Sequence, residues 1–146
     1  MRRCTNGRRL VVIAVGALLI GACGGGNNGG DNGEDAPGTA TSFTVQAGEF
    51  TFTPDALTMA ADTDVTVTLE NVGTIEHDWV VLKAGTNITS EAEFSENLVE
   101  TEVRNVPAGS SGTVTLNLPS GTYQVICLVA GHFTAGMEGS LTVTSQ

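Results

Sequence analysis

The feature that most constrains the fold is an alternation of apolar and polar residues that begins near Ser42 and recurs to the C-terminus. Side chains of a β-strand point alternately to opposite faces, so this period predicts half-buried strands. Short strands separated by turns, each with one apolar face, are typical of two packed sheets. Turn signals separate the runs at Asn71-Val72-Gly73, Pro107-Ala108-Gly109 and Pro119-Ser120-Gly121.

One segment departs from the alternation. Residues 90–93 read Ser-Glu-Ala-Glu, the order of a helix capping box, and Phe94 and Leu98 lie four positions apart, as on one helix face. We therefore predict an all-β sandwich of about seven to eight strands with one short helix.

The N-terminal part of the chain has the organisation of an export signal. Four arginines precede an apolar run over residues 10–20, which is too short to span a bilayer and leads into small residues before Cys23. The sequence Leu19-Ile20-Gly21-Ala22-Cys23 resembles the lipobox of bacterial lipoproteins. We therefore predict a signal peptide over residues 1–22, lipidation of Cys23, and anchoring on the outer, extracytoplasmic side of a bacterial cell membrane.

The stretch after Cys23 contains almost nothing that could be buried, because Gly, Asn, Asp and Ala dominate it. We predict that residues 23–41 are the lipidated cysteine and a flexible tether, followed by one domain over residues 42–146. All 16 acidic residues follow Cys23, with only Lys83 and Arg104 as bases, so the processed chain has a formal charge of −14. This charge excludes nucleic acid as a partner and favours basic proteins.

Cysteine and histidine are rare in the predicted domain. Cys127 is its only cysteine, so no disulfide can form within it, and a single free thiol is unusual in an exported protein. Cys127, His132 and Met137 lie in one short stretch, and His77 is the other histidine. Two imidazoles, a thiolate and a weak thioether are the donor set of a blue-copper electron-transfer centre. Taken singly, a buried Cys or Met is more often a core residue.

Strand alternation also indicates where these donors would lie. Cys127 shares a strand face with the apolar Tyr123, so we expect its thiol to point inward. His77 begins a similar strand, whereas His132 and Met137 fall in a Gly-rich loop before the last strand. The four side chains can therefore meet at one end of a sandwich.

These residues resemble those of the cupredoxin, or type 1 blue-copper, family over essentially all of residues 42–146. The resemblance implies a plastocyanin- or azurin-like Greek-key β-sandwich that binds one copper ion through His77, Cys127 and His132, with Met137 as a weak axial ligand. The spacing of the ligand loop is similar to the auracyanin and rusticyanin types. The motifs that carry the resemblance are Pro119-Ser-Gly-Thr-Tyr-Gln-Val-Ile-Cys127, Gly131-His132, Gly136-Met137-Glu138-Gly139 and Asn71-Val-Gly-Thr-Ile-Glu-His77-Asp78-Trp79.

Two positions depart from the family pattern. Asp78 stands where members often have Asn, and we expect its carboxylate to accept hydrogen bonds from the backbone near Cys127 and to lower the reduction potential. Ala130 replaces the proline that many members carry before the second histidine, which leaves the loop less restricted.

The resemblance also implies an electron-transfer surface around His132. Its apolar residues would be Phe133, Val129 and Ala135, through which electrons enter or leave. A charged residue in place of Phe133 is then expected to slow transfer while the visible spectrum is preserved.

By this resemblance the chain is a monomeric carrier of single electrons through Cu(I)/Cu(II), and not an enzyme. We expect redox partners: a c-type cytochrome or a quinol-oxidising complex on one side, and a terminal oxidase or reductase on the other. The main alternative is a copper-handling lipoprotein that buffers or delivers copper without carrying electrons. A metal-free adhesive or scaffolding lipoprotein is a third alternative, which failure to bind copper would favour.

Overall fold

The computed structural model describes residues 40–145. Within this range the chain forms nine β-strands and two 3₁₀ turns, Glu91–Glu93 and Glu96–Leu98. The strands are β1 (Ser42–Gly48), β2 (Thr51–Thr53), β3 (Ala56–Ala60), β4 (Val65–Asn71), β5 (His77–Leu82), β6 (Val99–Val106), β7 (Ser111–Leu116), β8 (Gly121–Ile126) and β9 (Glu138–Thr144).

The strands form two sheets. One has the order β2-β1-β4-β7 and the other has the order β3-β9-β8-β5-β6. Neighbours are antiparallel except for β1 with β4 and β3 with β9, which are parallel. The predicted sandwich is confirmed, with more strands in the described range than predicted. The excess is explained by short strands such as β2, whose three residues are too few to show an alternation.

Burial follows the strand period where one face is solvated. In β4, buried residues alternate with half-buried ones, and its apolar side chains join the core between the sheets. In β5, by contrast, all six residues are buried, because both faces of this strand are covered. Its inner face, with Trp79 and Val81, joins the main core, and its outer face, with Val80 and Leu82, joins a second apolar cluster.

The second cluster, which we call the outer cluster, lies on the far side of the five-stranded sheet. Its buried members are Val80, Leu82, Ile88, Ile126 and Phe133. The chain between β5 and β6, residues 83–98, packs against it and is called the turn segment below.

The turn segment contains two 3₁₀ turns where one helix was predicted. Ser90 makes no side-chain capping bond, and Glu93 instead accepts bonds from the backbone N–H and hydroxyl of Thr89. The backbone is extended again at Phe94, which ends the first turn. The apolar pair was correctly placed on one surface, since Phe94 and Leu98 both pack against the outer cluster.

The predicted signal peptide, Cys23 and the tether up to residue 39 lie outside the described residues and stay predictions. In the described part of the chain, no helix is long and apolar enough to cross a membrane.

Candidate metal centre

Three of the four predicted ligands, His77, Cys127 and His132, meet at one end of the sandwich, and the backbone of the fourth, Met137, is hydrogen-bonded to Cys127 and His132. His77 is the first residue of β5 and Cys127 directly follows the last residue of β8. These strands are antiparallel neighbours, so the start of one and the end of the other lie at the same edge. His132 and Met137 lie in residues 127–137, which we call the ligand loop. Of the four predicted ligands, His77, Cys127 and Met137 are fully buried, and His132 is only 3% exposed.

The donor atoms of three residues face one another. The Sγ atom of Cys127 lies 3.5 Å from Nδ1 of His132 and 4.0 Å from Nδ1 of His77. The ligand atoms of these residues all lie within 4.8 Å of one another. A nitrogen and a sulfur bound to one ion at about 2.0 and 2.3 Å are roughly 3.5–3.8 Å apart in tetrahedral or trigonal geometry. The spacing therefore fits a single small ion.

The surroundings of these atoms also fit a soft metal ion. Two imidazoles and a thiol are buried together, and in the described range no carboxylate belongs to the cluster. A donor set of two nitrogens and a sulfur suits copper and does not suit calcium or magnesium.

Burial shifts the protonation of two donors in directions that matter for binding. It raises the pKa of the Cys127 thiol, against the opposing effect of backbone N–H groups of Asp78 and Val129 that donate to the sulfur. Burial, and then the nearby His132, lower the pKa of His77. The metal-free thiol is therefore protonated at neutral pH, while His77 is neutral and has a nitrogen available for a metal.

The ligand loop closes on itself through backbone hydrogen bonds. The N–H of Cys127 donates to the carbonyl of Met137 (3.2 Å), whose own N–H donates to the carbonyl of His132 (2.9 Å). Gly131 and Gly136 have φ values of 84° and 98°, a region that favours glycine. These backbone conformations explain why His132 and Met137 are each preceded by Gly in the sequence.

Asp78 lies beside the site, but its carboxylate does not have the predicted partner. Its Oδ1 accepts a hydrogen bond from the N–H of Asn105 on β6 (2.7 Å). It is the backbone N–H of Asp78 that approaches Cys127, at 3.4 Å from Sγ. Asp78 therefore links the site to β6: its backbone N–H faces the Cys127 sulfur and its carboxylate bonds Asn105.

The predicted patch is only partly a surface. Phe133 is buried in the outer cluster, because the loop turns its ring away from solvent. Val129 is half-buried against the main core, and Ala135 is exposed. The expectation that Phe133 forms an exposed surface was wrong.

Another phenylalanine takes the position next to His132. The ring of Phe50, in the turn between β1 and β2, packs edge-on against the His132 ring with centroids 5.3 Å apart. Phe50 is 46% exposed and has a φ of 65°, which is uncommon for a bulky residue. The other large apolar residues that stand exposed in the described range are Val72 and Ile75, in the loop before His77.

Glu49 joins the two segments that carry these exposed residues. Its Oε1 accepts hydrogen bonds from the backbone N–H and hydroxyl of Thr74. These bonds lower the pKa of Glu49 from its ordinary value of 4.5 to about 2. Asn71 orders the same loop from beneath, since its amide donates to the carbonyls of Ile75 and Val106.

Sequence reasoning missed several of these residues. Phe50 and Glu49 contact the site region from elements distant in the sequence, and no local motif marks them. The same holds for Glu91, whose carboxylate accepts a hydrogen bond from the N–H of Gly131 in the ligand loop. Asn71 was read as part of a turn signal and of the motif that contains His77, but its hydrogen bonds to Ile75 and Val106 were not predicted.

The chain matches the family model of copper binding proteins, plastocyanin/azurin family, over residues 39–144. It belongs to this family. With the donor set described above, the cofactor is one type 1 copper ion.

Relatives and solved structures agree with this assignment. The chain is 29% identical to auracyanin-A from Chloroflexus aurantiacus over 92% of its own length and 94% of that protein. It is 33% identical to auracyanin-B from the same organism over 64% of this chain, a match that spans only 47% of auracyanin-B. The copper-resistant cuproprotein CopI from Rubrivivax gelatinosus is 29% identical over 78% of this chain and 72% of its own.

Two crystal structures show the same fold. Auracyanin from Roseiflexus castenholzii superposes with a TM-score of 0.65 at 24% identity, covering 73% of this chain and 99% of that one. Rusticyanin from Thiobacillus ferrooxidans gives a TM-score of 0.60 at 17% identity, covering 73% and 79%. The expected likeness to auracyanins and rusticyanin is confirmed.

Proposed function

We propose that the protein carries single electrons between redox proteins on the outer side of a bacterial cell membrane. The observation that carries the proposal is a buried donor set of two imidazoles and a thiol. One of these imidazoles, that of His132, contacts the half-exposed ring of Phe50. When bound, copper supplies a one-electron couple in which the thiolate favours Cu(I) and the imidazoles suit both oxidation states. No enzymatic activity is part of this proposal.

The protein's own part is to hold the donors still and to keep water out. The backbone bonds of the ligand loop fix His132 and Met137 relative to Cys127, and packing buries all three. Donors that move little when the copper ion changes its charge keep the reorganisation energy of electron transfer low.

We propose that partners dock on the surface made by Phe50, Val72 and Ile75, with Ala135 at its margin. Glu49 and Glu76 flank Phe50 and Ile75 in the sequence, and the domain as a whole is strongly acidic. An apolar surface with acidic neighbours suits a partner with an apolar face and basic residues around it. A c-type cytochrome with a lysine-rich haem edge has this chemistry, and a quinol-oxidising complex, terminal oxidase or reductase would act at the other end.

Electron transfer to a basic probe protein tests this proposal. We expect the copper-loaded domain to cycle reversibly at an electrode and to exchange electrons with horse heart cytochrome c faster at low ionic strength. Phe50→Lys removes the apolar contact and places a positive charge opposite the basic partner, so it should slow that exchange by roughly tenfold or more, the effect of about 1.4 kcal/mol, and should keep the visible spectrum.

The matched control is Thr115→Lys, which adds the same charge at an exposed position of β7. Thr115 pairs with Thr66, at the end of β4 that lies away from the site. Equal slowing by both substitutions would contradict a docking surface at Phe50.

The likeness to CopI favours a second candidate, which is copper handling without electron transfer. In that case the domain would lose copper to a competing Cu(I) chelator within seconds and would not cycle reversibly. An electron carrier should retain copper over many redox cycles.

We further propose that Cys23 is lipidated and tethers the domain to the membrane. Mass spectrometry of the protein from a bacterial host should find the acylated Cys23 as the first residue. Cys23→Ser should release the protein from membranes. An unmodified Cys23 in a membrane-free protein would contradict the anchor.

A further inference from the structure

The ligand loop is held from outside by a single carboxylate. Oε1 of Glu91 accepts hydrogen bonds from the N–H of Gly131 (2.9 Å) and from the hydroxyl of Thr134 (3.2 Å). Gly131 directly precedes His132 and Thr134 follows it by two positions. The two bonds therefore attach the loop on both sides of one candidate ligand.

Glu91 projects from a segment that is itself anchored. The side chain of Gln124 on β8 bonds both the N–H and the carbonyl of Ile88, at 2.8 and 3.0 Å. Farther along the turn segment, Glu96 is ion-paired with Arg104 of β6 at 2.9 Å. Glu91 is thus fixed to the five-stranded sheet from both directions along the chain.

The ligand loop is attached to the same base by apolar packing. Phe133 is buried in the outer cluster beside Ile88 of the turn segment, and Leu128 packs against that cluster. One polar and one apolar contact therefore connect the loop to the turn segment. Both contacts lie within the stretch that contains His132.

The loop needs an outside restraint because its own sequence supplies little. Ala130 is exposed, and an alanine leaves φ free where a proline would fix it. Each of the glycines Gly131 and Gly136 adds conformational freedom in the unfolded loop. Ordering such a stretch costs conformational entropy that contacts elsewhere must offset.

We propose that Glu91 is a positioning residue that braces the ligand loop and takes over the restraint that Ala130 does not supply. The brace keeps His132 in its binding position in the metal-free protein, so that little rearrangement accompanies metal binding or release. The inference rests on the proposed copper site for its purpose, but the contact itself can be tested without copper.

Hydrogen exchange of the metal-free domain, followed by NMR, tests the brace directly. The reporters are the amides of Ala135 and Met137, which donate to carbonyls within the loop and not to Glu91. In Glu91→Ala both amides should exchange about five- to tenfold faster, since two charge-assisted bonds at an exposed site are lost. In Glu91→Gln, which keeps an acceptor oxygen, the exchange rates of both amides should lie between those of Glu91→Ala and those of the wild type.

Glu93→Ala is the matched control. Glu93 lies in the same 3₁₀ turn and carries the same charge, but it bonds Thr89 within the turn segment. It should leave the exchange of both reporter amides within about twofold of the wild type, because a bond that does not touch the loop cannot change its opening. Adding Ala130→Pro to Glu91→Ala should bring the exchange back toward the wild-type rate.

The copper-loaded protein gives a second readout. Glu91→Ala should release copper to a Cu(I) chelator faster than Glu93→Ala by a similar factor, with an unchanged unfolding midpoint of the metal-free domain. If Glu91→Ala lowers that midpoint, Thr134→Val is used as the test variant instead, because it removes only one of the two bonds to Glu91. Thr134→Val should still speed the hydrogen exchange of the Ala135 and Met137 amides.

Equal exchange in Glu91→Ala and Glu93→Ala would overturn the brace, whether or not the protein binds copper. Failure of the wild type to bind copper would instead overturn the proposed function, and the exchange comparison would still decide the brace.

Discussion

The two phenylalanines beside His132 belong to opposite sides of the metal centre and have opposite environments. Phe133 follows the ligand in sequence and is buried in the outer cluster, whereas Phe50 comes from a distant turn and is half exposed on the ligand ring. One side of the centre is thus built from local backbone bonds and apolar packing. The other side is an open surface held by contacts between distant segments.

This difference suggests a division of labour within one small site. The ligand-loop side contains three of the four candidate donors and is closed by its own hydrogen bonds. The open side contributes His77 and the exposed apolar residues, and Glu49 holds its two segments together. We expect substitutions on the loop side to change stability and metal binding, and those on the open side to change electron exchange with partners.

The largest expected difference concerns Phe133→Ala and Phe50→Ala. Phe133→Ala should lower the unfolding free energy of the metal-free domain by about 3–4 kcal/mol, because it leaves a cavity in the outer cluster. Phe50→Ala should cost about 1 kcal/mol or less, since the ring is half exposed. Urea unfolding monitored by Trp79 fluorescence measures both, and equal losses would break the comparison.

The next effect is the proton balance of copper binding on the loop side. Burial raises the pKa of Cys127, so the metal-free thiol is protonated at pH 7 and must lose its proton to bind as a thiolate. The pKa of His77 is lowered, so its ring is already neutral at pH 7 and does not need to release a proton on binding. Copper affinity should therefore rise about tenfold per pH unit near neutrality, equivalent to ~1.4 kcal/mol.

Calorimetric titrations in buffers of different ionisation enthalpy measure this release. About one proton per copper is expected from the linkage of ligand deprotonation to binding. No proton release at pH 7 would show that Cys127 is already a thiolate or is not a ligand.

Asp78→Asn tests the charge that lies between the two sides. The amide can still accept the Asn105 hydrogen bond, so the substitution mainly removes a negative charge near the sulfur. The reduction potential should rise by on the order of 50–100 mV, equivalent to ~1–2 kcal/mol at an effective dielectric of about 20. Glu76→Gln is the control, because Glu76 is exposed and its charge is screened. Voltammetry that finds the same potential for wild type and Asp78→Asn would reject this role.

The smallest expected effect is that of Glu49→Gln on acid stability. The folded-state pKa of Glu49, about 2, is below its ordinary value of 4.5, so its bonds to Thr74 stabilise the fold fully above that value. This stabilisation is lost as the pH falls from 4.5 to 2. The thermal midpoints of wild type and variant should therefore differ above pH 5 and converge toward pH 2, within the roughly 2-unit window set by the shift. A constant difference across this range would mean that the carboxylate charge has no part in holding the open side.

The two sides also differ in how far the sequence predicts them. Alternation and turn signals predicted the sandwich, and the positions of Cys127, His132 and Met137 predicted a compact loop that the structure confirms. All residues of that loop lie in one continuous stretch of the chain, so its candidate ligands and its glycines can be recognised together in the sequence. The same reasoning misjudged Phe133, because a sequence neighbour of a ligand need not share its environment.

The open side depends on contacts between residues far apart in the chain. Phe50 meets His132 only after β1 and β8 are in different sheets of one sandwich. The ligand-loop side has one contact of the same kind, because Glu91 reaches Gly131 across forty positions. Neither contact has a periodicity or a motif that marks it. Asp78 was placed correctly beside the site, but the direction of its carboxylate depends on β6, which alternation alone does not fix.

The central claim is that His77, Cys127, His132 and Met137 hold one type 1 copper ion. Titrating Cu(II) into the metal-free domain, with visible and EPR spectra recorded at each addition, tests it most directly. We predict an intense thiolate-to-copper absorption that saturates at one equivalent and is absent from Cys127→Ser. A wild-type domain that gives no such band, or a band that persists in Cys127→Ser, would contradict the account.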